Sequence, residues 1–244
     1  MDIQPILSLV VVILCFWRYR SGRAAIARTA PAQQRFLEKT GYRLRGIETQ
    51  PLADQAREAV ALYDEVPLQR PFVRSLGRDR LVYHRGSGFQ VTRSGDQLGQ
   101  FAWVLELATP SRVQWAIVRR HVPRGVERWP LGHPQIALPD EPLGLDHQAY
   151  ADDAITVSRI LATPALQSAL LACAWLDLHV ERDRIIFMDP RMKNLAAGSG
   201  GGLTLLLLGD DADKRFELLA MAHEQVASLL QLVATLSRDE VPRA

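Results

Sequence analysis

Hydrophobic and polar positions follow three different patterns along this chain. Residues 3–17 (IQPILSLVVVILCFW) form one apolar, uncharged run, closed at once by Arg18, Arg20 and Arg23. Phe36, Leu37 and Leu44 then mark a short helical patch ending at Gly41, and Leu52, Ala56, Ala59, Val60 and Tyr63 repeat at helical spacing over 52–64. From Pro71 the period becomes two. Segments 72–76, 80–85, 89–93, 100–108 and 113–121 read as successive strands, separated by turn residues such as Gly77, Gly86, Gly95 and Pro110. Phe101, Trp103, Leu105 and Leu107 share one face of their strand. Val113, Trp115, Ile117 and Arg119 share one face of theirs. The pattern predicts an antiparallel meander buried on one side.

The second half mixes periods. Residues 122–150 are rich in Pro and Gly and predict a long connection, with a possible subdomain boundary there. Segment 154–160 reads as a strand. Thr163 and Pro164 open a helix through Trp175, with Thr as cap and Pro in the first turn. Segments 177–181 and 184–188 form a hairpin around Arg182 and Asp183, 198–202 is a flexible turn, and the apolar run 203–208 suits a central strand. A long helix runs from about Asp210 to Ser237, its stripe (Phe216, Leu219, Ala220, Val226, Leu230, Val233) widened by Leu218, Leu229, Leu232 and Leu236. The expected fold class is α+β: an N-terminal transmembrane helix, a mainly antiparallel sheet with packed helices, and a long C-terminal helix.

The first run sets the expected location. Fifteen helical residues reach roughly 22 Å, short of a bilayer's roughly 30 Å apolar core, and flanking residues can cover the deficit. Trp17, Arg18, Tyr19, Arg20 and Arg23 are the membrane-interface residues. A cleaved signal peptide needs a basic segment before the apolar run, whereas residues 1–5 carry only Asp2. A buried core helix is the other rival. The expected organisation is an anchor at 3–19, a juxtamembrane linker at 20–34 and an α+β domain at 35–244. Arginines on the C-terminal flank place that domain in the cytoplasm, on a single span of the inner membrane. Cys15 lies in the anchor and Cys173 in an apolar helix, which fits a reducing compartment.

Charge refines this picture. The net charge of +2 conceals a gradient: +6 over residues 18–50, +4 over 51–136 and −7 over 137–244. The basic half lies beside the anchor, where cations favour anionic headgroups. The basic residues are dispersed and no binding motif accompanies them, so no nucleic-acid partner is expected.

Three stretches, Asp153–Val157 (DAITV), Leu161–Leu166 (LATPAL) and Leu178–Ile185 (LHVERDRI), together resemble the C-terminal region of uncharacterised bacterial membrane-anchored proteins, a domain of unknown function. The resemblance covers about a third of the chain. It implies a short α+β domain near a span and a bacterial origin, and it implies no activity.

Candidate chemistry is sparse. Asp146, His147, Asp152 and Asp153 make the densest ionisable cluster, in which a carboxylate can orient an imidazole or the group can hold a divalent ion. The competing reading is a polar loop entering a strand. His223 and Glu224 begin an HExxH pattern, but Ala227 stands where the second histidine belongs, so His223 reads as a core residue. Ser199 among glycines lacks the strand–turn–helix order of a nucleophile elbow. Cys173, between alanines, reads as core. The interleaved Trp115, Arg119, Arg120, Arg124, Arg128 and Trp129 suit strand packing, or a surface facing headgroups or a partner. The expected function is a non-enzymatic protein-interaction or scaffold domain held at the membrane, with membrane lipid and a protein as partners and neither cofactor nor metal. The alternative is a hydrolase or metal-dependent enzyme using the 146–153 loop.

Overall fold

The alternating segments become nine strands in a computed structural model, which describes residues 29–61, 70–84, 102–119, 133–138, 144, 147–173, 177–188 and 212–238. The strands are β1 (Arg43–Leu44), β2 (Phe72–Leu76), β3 (Asp79–His84), β4 (Ala102–Glu106), β5 (Trp115–Arg119), β6 (Gln135–Ile136), β7 (His147–Ala151), β8 (Asp177–Val180) and β9 (Arg184–Met188). Helices are α1 (29–40), α2 (Leu52–Ala61), α3 (Ala154–Leu161), α4 (Pro164–Ala172) and α5 (Ala212–Arg238). The α+β class with a large antiparallel sheet and a long C-terminal helix is therefore as the sequence predicts.

The strand order is β1-β2-β3-β4-β9-β8-β5-β7-β6, and each described pairing is antiparallel. This corrects the simple meander. β4 and β5 are consecutive in the described chain yet do not pair; the β8–β9 hairpin inserts between them. The 107–111 connection spans that hairpin's tip, with Leu107 N–H donating to Asp183 O and Ser111 N–H to Arg182 O, both at 2.8 Å. The reason lies in burial. Ile185, Ile186, Phe187 and Met188 are all buried, so β9 has apolar side chains on both faces and belongs at the sheet centre. Strands from both sides of the 122–150 stretch share this sheet, and β6 and the start of β7 fall within that stretch.

Register assigns the faces. Phe72, Tyr83, Trp103 and Phe187 align across β2, β3, β4 and β9, and Leu81, Leu105 and Ile185 align beside them. This face carries the main core, to which helical Phe36, Leu37, Ala56, Val157, Ile160, Leu166 and Leu230 belong. Val73, Val82, Val104, Ile186, Ala102 and Met188 lie on the opposite face and form a second buried cluster. Each fully buried large side chain contributes about 1.5–3 kcal/mol relative to exposure, so a nine-strand sheet buried on both faces has ample driving force.

Two local corrections follow. Segment 154–160 is helical despite Ile155, Thr156 and Val157. Asp153 caps α3, its side chain accepting from Ile155 N–H and Thr156 N–H, and Val157, Ile160 and Leu161 then face the core. Capping and helical burial override the β-branched propensity. The described part of helix α1, 29–40, overlaps the expected linker, and the helix ends where Gly41 adopts φ 70° and its N–H bonds to Leu37 O. Leu44 belongs to β1, not to that helix.

The expected anchor at 3–19, the strand at 89–93, the turn at 198–202 and the strand at 203–208 lie outside the described residues. Among the described residues no single helix is long and apolar enough to cross a membrane. α3 and α4 pass that test only as a pair bent by 72°, and their Val157, Ile160, Leu166 and Leu170 are buried in the core.

Candidate functional site

Strand β7 separates His147 from Asp152 and Asp153. His147 opens β7, opposite Arg119 of β5, and is buried. Asp152 follows the other end of the strand, about 16 Å away along an extended backbone. Its carboxylate accepts from Gln114 N–H at 2.9 Å and Asp153 N–H at 2.8 Å. Asp153 accepts from Ile155 N–H, Thr156 N–H and the Thr156 hydroxyl, which hold its carboxyl below the usual range. These two carboxylates fasten backbone. Asp146 lies outside the described residues.

Among the described residues, a buried polar arrangement forms instead around His223. On α5, Phe216, Leu219, Ala220, His223, Val226, Ala227 and Leu230 follow the buried stripe, so a histidine occupies a core position. Trp103 Nε1–H donates to His223 Nδ1 at 2.9 Å, and the Tyr42 hydroxyl lies 3.2 Å from the same nitrogen. Four rings meet the imidazole edge-on, those of Phe36, Tyr42, Tyr83 and Trp103, with centroids 5.3, 5.2, 4.3 and 5.1 Å away. Such edge-to-face contacts are favourable. Burial, and then the charge of Arg74, push the His223 pKa well below its ordinary value. Burial likewise raises the Tyr42 phenol.

Arg74 of β2 closes the edge of this box. Its guanidinium lies 5.0 Å from the centre of the Tyr42 ring, donates to Thr40 O at 2.7 Å, and pairs with Glu224 of α5. Arg74 is almost buried while Glu224 is half exposed, so the pair marks where the aromatic core reaches the surface. The arrangement ties α1, β2 and α5 together. It presents neither an open nucleophile nor an acid–base pair.

An open cleft of about 250 Å³ lies next to it, between α1 and α5. Its floor is Ala32, Phe36, Phe216 and Ala220. Its rim is Arg35 and Lys39 from α1 and Glu217 from α5, with Lys39 Nζ and Glu217 Oε1 3.8 Å apart. The sequence reading did not single out this cleft. Its signal is the i, i+4 pair Arg35 and Lys39 flanking Phe36, which becomes a site only once α5 is docked alongside.

Other candidates are structural. Trp115 is core, its N–H donating to Ser237 Oγ at 3.2 Å, and Cys173 is buried as expected. His179 is buried on the face opposite the helices, and burial lowers its pKa to about 4. Among the described residues no group of three or more His, Cys, Asp or Glu side chains could hold a metal ion. No known family model matches the chain, and neither a curated protein nor a solved structure matches it.

Proposed function

We propose that this chain is a membrane-anchored domain that binds a protein partner, held on the cytoplasmic side of an inner membrane. The observation that carries the reading is the uncharged run 3–17 followed by Arg18, Arg20 and Arg23. Such a run favours a bilayer, and the arginines favour retention on the cytoplasmic side. The anchor restricts the body to the membrane plane and raises its effective concentration toward partners there.

The alternative enzyme reading is the less favoured one, because Asp152 Oδ1 and Asp153 Oδ1 each accept two backbone N–H groups and Asp153 Oδ2 accepts the Thr156 hydroxyl. The test is affinity purification from mildly solubilised membranes, comparing the full chain with a chain lacking residues 1–23. A stoichiometric protein partner that depends on the anchor supports the reading. Absence of such a partner, with metal-dependent activity lost in His147→Ala, overturns it.

A further inference from the structure

We draw no further inference here: the strongest candidate, the outer face of the α3–α4 corner, where Ile155 and Leu171 are 68% and 41% exposed, carries nothing because nothing in the structure shows what covers it.

Discussion

The indole N–H of Trp103 donates to Nδ1 of His223 over 2.9 Å, inside a closed aromatic box. An indole nitrogen can only donate, so Nδ1 must be the acceptor and the neutral ring carries its proton on Nε2. Nε2 is buried without a hydrogen-bond partner. The contact thus fixes the tautomer and joins the centre of the sheet to the long C-terminal helix. It also makes protonation costly, because a second proton would have to displace the Trp103 bond.

His223→Leu removes the acceptor and leaves the Trp103 N–H buried and unpaired. The expected loss is about 2–3 kcal/mol of stability, from one orphaned donor and lost ring packing. Urea unfolding followed by tryptophan fluorescence checks it. Trp103→Phe combined with His223→Leu should cost less than the two single changes added together, because neither partner is then stranded.

Stability should fall on acidification between about pH 6.5 and pH 4. His179 has its pKa lowered from 6.5 to about 4, and burial is the main cause. The unfolded chain therefore takes up protons in that window while the folded chain does not, which favours unfolding as pH drops. One such group accounts for about 3 kcal/mol across the window, and His223 acts in the same direction. Urea midpoints measured from pH 7.5 to 4 test this, and His179→Leu should flatten the slope.

Arg238, at the end of α5, donates to Asp79 Oδ1 at 2.7 Å and to Thr109 O at 3.0 Å, while Ala108 N–H donates to the same carboxylate oxygen. Burial pushes the Asp79 carboxyl up, but the Arg238 guanidinium and Ala108 N–H outweigh it and hold the pKa below its usual value. Its contribution is present above the unfolded carboxylate range and is lost as pH falls through the lowered pKa. Arg238→Ala should cost about 2 kcal/mol through the stranded, mostly buried carboxylate. Asp79→Asn should cost less and remove the acid-side dependence. Thermal unfolding of both variants at pH 7 and pH 3.5 reads the difference.

Asp153→Ala should loosen the start of α3 alone. Amide exchange at Ile155 and Thr156 should accelerate, while the rest of the molecule keeps its protection. A variant that instead lost bound metal or a catalytic rate would return Asp153 to the chemical role the sequence allows.

Much of the architecture was legible because burial on one face leaves a period. β2, β3, β4, the β8–β9 hairpin, α2 and α5 fall where alternation or helical spacing puts them. Neighbour choice was not legible, since alternation says which face a residue takes and not which strand lies beside it. Hence the β8–β9 insertion between β4 and β5 was missed. The 154–160 segment failed for a different reason: Ile155, Thr156 and Val157 favour strand, and a single capping carboxylate at Asp153 decided otherwise. The helical phase put His223 in the core, but Trp103 and Tyr42 are distant in sequence, so nothing in the order of residues announced their meeting. The same holds for Arg35 and Glu217, which share a cleft only after α1 and α5 pack.

The central claim is the anchor, and alkaline carbonate extraction of membranes from cells expressing the full chain tests it most directly, with a chain lacking residues 1–23 alongside. The full chain should stay in the membrane pellet and the shortened chain should be released to the supernatant. Release of the full chain by carbonate would show that residues 3–17 do not span a bilayer and would contradict the account.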